Sequence, residues 1–219
     1  TPITIVLAAV LSKMGVYGTI RFCLPLFPSA IQVARPWIWL LVITGILYSS
    51  LIALVQRDMK RLNAYSSLAH VGLIVAGALA ANVQGIQGAL VLSVSHGLTM
   101  AALFLLVAML ETRRRTRLVQ DYGGLWQSAP AMGTVLLTVI LAAIGLPGLS
   151  AFPGEFTLLV GIFLESTAAA VAATLSIVLG AWYLLRLFRN TFAGPSRSDI
   201  RGLPVLLYLG RQGPYAARN

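Results

Sequence analysis

The sequence has very little charge and almost no cysteine. Of its 219 residues only 10% are charged, and Cys23 is the single cysteine. One cysteine excludes an internal disulfide, a cysteine-ligated cluster and a CxxC redox pair. With 58% hydrophobic residues and a mean hydropathy of +0.86, the chain is too apolar for a soluble domain of this size. The composition therefore predicts an all-α, multi-pass protein of the lipid bilayer.

Motifs for nucleotide binding and for hydrolysis are also missing. The sequence contains no GxxxxGK[ST], GxGxxG or GxSxG pattern. Its net charge of +10 comes from short basic clusters between apolar runs, which is typical of topogenic loops, so we do not expect it to bind nucleic acid. The chain begins with Thr1-Pro2-Ile3 inside an apolar run, without an initiator Met, and this predicts the interior of a longer protein.

Six hydrophobic segments follow one another along the chain. Five have the roughly 20 residues that a helix needs to cross a bilayer. These five run over about Ile3–Phe22, Trp37–Val55, Leu62–Ala81, Gly88–Leu110 and Ala168–Leu185. We expect a transmembrane helical region over residues 1–192 and an extramembrane or truncated tail over residues 193–219.

The fifth region in chain order, Ala129–Leu164, is too long for one straight span and too short for two spans with a turn. Helix-breaking residues interrupt it at Pro147, Gly148, Pro153 and Gly154. One discontinuous crossing fits best, with half-helices at Ala129–Gly145 and Glu155–Leu164.

Three basic clusters give a second indication of topology. They are Arg57/Lys60/Arg61, Arg113/Arg114/Arg115/Arg117 and Arg186/Arg189/Arg197/Arg201. If the broken region crosses once, all three lie on one side, which the positive-inside rule makes the cytoplasmic side. The opposite loops would carry only Arg21 and Arg35, around prolines. A re-entrant hairpin is the alternative, and it would place the third cluster outside.

Glu155 lies in the interrupted stretch, within Phe152-Pro-Gly-Glu155-Phe. A carboxylate at membrane depth is costly, and broken helices persist there when they are buried in protein or line a wet cavity. The combination suggests an ion or proton path. The alternative is a surface loop between two short spans.

Three further ionisable residues reach similar depth. Lys13 lies ten residues into the first segment, near the midplane at 1.5 Å per residue. His70 shares a helical stripe with Asn63, Ser66 and Ser67, and His96 lies between Ser93 and Thr99. Such groups can pass protons when water bridges them. Each histidine taken alone can equally be a satisfied structural hydrogen-bonder, and the absence of an HxxH or HExxH pair argues against a metal site.

The motifs around these residues carry a resemblance. They are Leu11-Ser-Lys13-Met-Gly-Val-Tyr-Gly18, Gln56-Arg-Asp-Met-Lys60-Arg-Leu-Asn-Ala-Tyr-Ser-Ser-Leu-Ala-His70-Val-Gly, Ser95-His96-Gly-Leu, Gly123-Gly-Leu-Trp126, Gly145-Leu-Pro-Gly and Phe152-Pro-Gly-Glu155-Phe. In this order they resemble the antiporter-like, proton-pumping membrane subunits of respiratory complex I. The glutamate at position 155 favours the subunit M (NADH dehydrogenase subunit 4) type, because related subunits usually have lysine there.

The resemblance implies a role for each ionisable residue. Lys13 would be the central lysine of an eighth helix, and His70 and His96 would belong to the buried hydrophilic axis in the tenth and eleventh helices. Glu155 would be the terminal carboxylate of a broken twelfth helix. The chain would hold the second of two inverted repeats, and the glutamate–lysine pair of the first repeat would lie outside it.

The functional hypothesis is a proton-translocating part of NADH:quinone oxidoreductase. The resemblance implies no cofactor in this chain, with NADH, FMN, iron–sulfur clusters and quinone elsewhere in the complex. It implies other membrane-arm subunits as partners and a bacterial-type inner membrane with cytoplasmic basic loops. The alternatives are a subunit of a sodium/proton antiporter or of a membrane-bound hydrogenase, and a non-conducting protein whose buried charges only hold helices together.

Overall fold

A computed structural model describes residues 2–194, and most of the predicted tail lies outside them. Within this part the regular structure is helical, apart from an isolated antiparallel bridge between Asp58 and Leu118. The predicted all-α class is therefore confirmed. The main helices are α1, continuous from Pro2–Val6 to Leu24–Leu26, then α2 (Pro28–Val55), α3 (Met59–Leu79), α4 (Val83–Arg114), α5 (Pro130–Ala143), α6 (Phe152–Glu165) and α7 (Thr167–Phe192).

Five of these helices are long and apolar enough to cross a membrane. They are α1 over Ile3–Leu26, then α2, α3, α4 and α7, and α5 is a shorter apolar helix. They correspond to the five spanning segments that hydropathy predicts. The helices extend further than the apolar runs because polar caps continue them. Asp58 accepts hydrogen bonds from the first backbone N–H groups of α3, and Asn82 and Ser166 do the same for α4 and α7.

The prediction of a proline-containing loop between the first two segments is wrong. Phe27 is the one non-helical residue there, and α2 begins directly at Pro28. A proline fits the first helical turn because its missing N–H would have had no helical partner. Arg35 lies inside α2 rather than in a loop. Its guanidinium pairs with Glu165 and donates to the carbonyls of Leu79 and Ala80, which links α2 to the ends of α3 and α6.

The fifth region divides into α5 and α6 around a glycine turn. Gly145 has a φ of +69° and donates to the Ala142 carbonyl, while Leu146 N–H donates to the Leu141 carbonyl. This pair of bonds is a Schellman motif, which ends a helix with a left-handed residue that glycine adopts without strain. α6 then starts three residues before the predicted half-helix, because Pro153 sits in its first turn.

The loops with the basic clusters meet at one end of the bundle, which we call the basic end. Val119 N–H donates to the Arg57 carbonyl at 2.8 Å, and Gly124 N–H donates to the Ala193 carbonyl at 3.4 Å. The helix pair α5–α6 runs away from this end. Gly133, near the start of α5, packs against the Phe192 ring, whereas Asn82 donates to the Gly161 carbonyl at the other end of the bundle.

Two apolar clusters fill the bundle, one toward each end. The cluster at the basic end includes Leu62 of α3 and Met100 of α4. The cluster at the other end includes Leu73 of α3 and Leu92 of α4. The break between α5 and α6 separates them again. Seven of the buried polar residues lie in between and form a polar layer across the middle of the bundle. Its members are Ser66, Ser67, His70, Ser95, His96, Thr99 and Glu155.

Helices α4 and α6 pack closely through glycines, which fixes the position of this layer. A Cβ atom on Gly88 would lie 2.6 Å from the Cα of Leu158, and one on Gly154 would lie 2.7 Å from the backbone nitrogen of Leu92. Only glycine permits backbones to approach in this way. Glu155 follows Gly154 directly and is therefore held at a defined depth beside α4.

Candidate functional site

The two histidines lie against each other in the polar layer. The rings of His70 and His96 are stacked, with centroids 4.9 Å apart and planes 14° from parallel. The Nδ1–H of His70 donates to the Ser66 carbonyl at 2.8 Å, because a carbonyl can only accept. This bond fixes the tautomer of the neutral ring and leaves Nε2 as an acceptor. Nε2 of His96 lies 3.3 Å from the Ser67 hydroxyl.

Glu155 faces the acceptor side of His70. Its side chain is buried, with a relative exposure of 5%, and its Oε1 lies 3.9 Å from His70 Nε2. This distance is too long for a direct hydrogen bond. Oε1 is also buried without a hydrogen-bond partner among the described residues. One water molecule between the two atoms would satisfy both.

The helix break provides the space for the carboxyl group. A Cβ atom on Gly145 would overlap Oε2 of Glu155 and lie 2.8 Å from Cδ. Any larger residue at position 145 would therefore displace the carboxyl group as well as strain the backbone. The backbone of Ala143 at the end of α5 also lies near the His70 ring. The turn between α5 and α6 is thus next to both Glu155 and His70.

Lys13 approaches the histidines from α1. Its ammonium donates to the Ala8 carbonyl at 2.6 Å and to the Ser12 hydroxyl at 3.2 Å, and the side chain is only partly buried. α1 contacts α4 next to His96, since a Cβ atom on Gly97 would lie 2.9 Å from the Ala9 carbonyl oxygen. Lys13 lies close enough to interact electrostatically with both histidines.

The structure thus brings together all four ionisable residues that the sequence singles out. His70 touches both His96 and Glu155, while Lys13 lies beside the histidine pair without a direct contact to Glu155. Sequence reasoning missed Tyr183, whose hydroxyl donates to Ser66 Oγ at 3.0 Å. Its signal is a small-residue stripe on α7 that continues through Ser176 and Gly180 to the tyrosine. No group of three or more His, Cys, Asp or Glu residues that could hold a metal ion occurs in residues 2–194.

A bundle of helices long and apolar enough to cross a membrane, with a broken helix and a line of lysine, histidine and glutamate, is typical of antiporter-like membrane proteins. The family comparison agrees with this class. Residues 1–180 match the family model described as NADH:quinone oxidoreductase/Mrp antiporter, TM. The chain belongs to this family, which confirms the resemblance seen in the motifs.

Similar proteins carry the names of one complex. The chain is 45% identical over 191 residues to NADH-quinone oxidoreductase subunit M of Rhodobacter capsulatus, covering 87% of the chain and 37% of that protein. It is 41% identical over 213 residues to NADH-ubiquinone oxidoreductase chain 4 of Arabidopsis thaliana, covering 94% of the chain and 43% of that protein. The chain therefore spans about two fifths of the length of these relatives.

Solved structures show the same fold. A chain of respiratory complex I from Thermus thermophilus with bound NADH matches with a TM-score of 0.83 and 37% identity, over 86% of this chain and 40% of that one. A chain of the Mrp complex from Dietzia sp. DQ12-45-1b matches with a TM-score of 0.80 over 90% of this chain and 38% of that one. At 21% identity, the second match concerns the fold alone.

Proposed function

We propose that the chain forms part of a proton-translocating membrane-arm subunit of NADH:quinone oxidoreductase, of the subunit M (NADH dehydrogenase subunit 4) type. Its relatives at 40–45% identity carry that name. In this proposal NADH, FMN, iron–sulfur clusters and quinone react elsewhere in the complex. This chain contributes the proton sites Lys13, His70, His96 and Glu155, and its partners are the other membrane-arm subunits.

The contact between His70 and Glu155 is the observation that supports this function best. The Ser66 carbonyl holds the Nδ1 proton of His70, so Nε2 is the atom that gains and loses a proton. Nε2 and Glu155 Oε1 lie 3.9 Å apart, and a water molecule bonded to both would let a protonated His70 pass its proton to the carboxylate. The stacked ring of His96 and the nearby ammonium of Lys13 extend the line toward α1.

We also propose that the protein is a multi-pass protein of a bacterial-type inner membrane with its basic loops in the cytoplasm. The meeting of these loops at one end of the bundle supports this topology, because short loops with Lys and Arg stay on the cytoplasmic side. It also supports one discontinuous crossing by α5 and α6, since a re-entrant pair would return to the end from which it started.

A sodium/proton antiporter subunit is the second candidate, favoured by the family description, which also names the Mrp antiporter. A membrane-bound hydrogenase subunit would use the same buried groups. Replacing sodium by choline in vesicles separates ion exchange from electron-driven pumping. Proton uptake that needs NADH and is indifferent to sodium supports the complex I function, whereas exchange that needs sodium without any electron donor contradicts it.

The test of the proton path uses the full-length subunit assembled in its complex. Glu155→Gln keeps the size of the side chain but removes the proton site, and we expect NADH-driven proton uptake to fall by about tenfold or more. Glu165→Gln, at the far end of the same helix, is the matched control and retains uptake. Normal uptake by Glu155→Gln at a normal assembly level would reject Glu155 as a proton site.

A further inference from the structure

We propose that a second, hydrated branch runs from the basic end of the bundle to His70, through a polar cavity, the Tyr183 hydroxyl and the space beside Gly180. The proposal rests on the function of His70 given above and adds an access route to it. Along this branch water and hydroxyl groups would exchange protons with His70 from the basic end, without any net change in the side chains that form it.

The branch begins in a cavity of about 730 Å³ at the basic end. Its walls include the amide groups of Gln56 and Asn190 and the guanidinium groups of Arg57 and Arg186. Both arginines are exposed, so water screens their charge at the entrance. Tyr183 also lines the cavity, although its side chain is buried almost completely. The cavity is therefore lined by a residue that hydrogen-bonds to Ser66 of the polar layer.

Tyr183 connects the cavity to the His70 environment. Its hydroxyl donates to Ser66 Oγ at 3.0 Å, and the carbonyl of the same serine accepts the His70 Nδ1–H at 2.8 Å. A Cβ atom on Gly180 would lie 3.5 Å from the Tyr183 hydroxyl oxygen and 4.0 Å from His70 Cε1. The missing side chain of Gly180 thus leaves the Tyr183 hydroxyl and the His70 imidazole on either side of one position, with no side chain of residue 180 between them. In the proposed branch, water next to this position would hydrogen-bond to the Tyr183 hydroxyl.

Asn63 gives a second, independent indication of hydration. It lies one helical turn from Ser66 on the basic-end side of α3, and its side chain has a relative exposure of 0%. Neither its Oδ1 nor its Nδ2 has a hydrogen-bond partner among the described residues. Buried amide groups are hydrogen-bonded in nearly all proteins, and water is the usual partner when no protein group is in reach. Leu62, the neighbour of Asn63, lines the cavity.

Thiol accessibility tests the branch without any measurement of pumping. In the full-length subunit with Cys23→Ser, Gly180→Cys places a thiol in the open space, where the nearest atoms are at ordinary contact distances. Ala173→Cys is the matched control, seven residues earlier on the same face of α7 and inside an apolar cluster. Silver ions, which are about as large as water, are added to one side of sealed vesicles. Free thiols are then counted with a maleimide after solubilisation.

We expect Gly180→Cys to react with silver from the side on which Thr116→Cys reacts with an impermeant maleimide. The reaction should be at least roughly tenfold faster than for Ala173→Cys, because a dry buried site reacts only after local opening. Adding Asn63→Leu should slow the reaction of Gly180→Cys with silver, since a leucine of similar volume removes the Oδ1 and Nδ2 groups of Asn63. Reaction only from the opposite side, or at the rate of Ala173→Cys, would overturn the proposal.

A proton measurement then separates the branch from the function on which it rests. Gly180→Ala fills the open space with a methyl group, and we expect it to lower NADH-driven proton uptake severalfold while the complex assembles normally. Accessible Gly180→Cys together with full pumping by Glu155→Gln would leave the branch in place and refute the proposed function. Inaccessible Gly180→Cys together with pumping that depends on Glu155 would refute the branch alone.

Discussion

Replacing Gly145 by alanine should disable Glu155 without any change to the carboxylate itself. Gly145 has a φ of +69°, and a Cβ atom there would overlap Glu155 Oε2. The left-handed backbone costs an alanine about 1–2 kcal/mol. Moving the carboxyl group out of a filled site adds about 1–3 kcal/mol, as other overpacked sites do. We therefore expect Gly145→Ala to lower both thermal stability and proton uptake.

Gly148 provides a control in the same turn. It also has a positive φ, of +92°, but no atom lies within 4 Å of the position that its Cβ would take. Gly148→Ala thus adds backbone strain of the same kind without touching Glu155. We expect it to lower the melting temperature of the assembled complex while NADH-driven uptake per assembled complex stays normal.

A double substitution makes the test quantitative. Glu155→Asp shortens the side chain by one methylene, so in the Gly145→Ala background it should recover part of the stability that the overlap removes. The recovery measures the interaction energy between the two positions in a double-mutant cycle. The reasoning would be refuted if Gly145→Ala and Gly148→Ala lowered proton uptake equally. It would also be refuted if the stability changes of Gly145→Ala and Glu155→Asp were strictly additive, because the overlap with the carboxyl group would then have no consequence.

Three further outcomes are expected. In right-side-out and inverted vesicles, cysteines replacing Thr116 and Val83 should react with an impermeant maleimide from opposite sides, and labelling from the same side would contradict the topology. Gly88→Ala should reduce assembly strongly, because its Cβ would meet the backbone of Leu158 across the α4–α6 contact. Gly15→Ala is the control, since it has open space around its Cβ and should assemble normally. Equal assembly of the two variants on native gels would refute the close packing. Burial raises the pKa of Tyr122 from 10.0 to about 12. Its 2.8 Å hydrogen bond to the Thr116 carbonyl should therefore stabilise the fold fully below about pH 10 and be lost as the pH rises through 12. If the melting temperatures of wild type and Tyr122→Phe already became equal below pH 9, this prediction would be contradicted.

Hydropathy predicted which residues form the long helices, because a bilayer-spanning helix needs about 20 apolar residues whatever its partners are. It did not predict where the helices end. The extra turns of α3 and α4 depend on Asp58 and Asn82 as caps, and the start of α2 depends on Pro28 in a first turn. These are local backbone hydrogen bonds, to which an average over apolar residues is insensitive.

The site was predicted as a set of residues but not as a geometry. Depth along each helix follows from counting residues, and this is enough to place His70, His96 and Glu155 in one layer. The ring stacking and the tautomer of His70 depend on the rotation of α3 against α4, which depends on contacts between residues far apart in sequence. Tyr183 was not predicted for the same reason, because its hydroxyl belongs to the site only through its hydrogen bond to Ser66 on another helix.

Lys13 and Glu155 both lie next to irregular backbone, whereas His70 and His96 lie on regular helices. Lys13 follows a π-helical turn over Leu7–Leu11, and its ammonium binds the Ala8 carbonyl within that turn. Glu155 lies beside the glycine turn that ends α5. Irregular backbone supplies carbonyls or space that a regular apolar helix has already used, and a charge at membrane depth needs one or the other. A neutral imidazole has one N–H to satisfy, and a single carbonyl on its own helix, as His70 has in Ser66, is enough for it. In the proposed proton path, these two irregular turns would hold the charged groups, and the regular helices between them would carry the imidazoles that relay the proton.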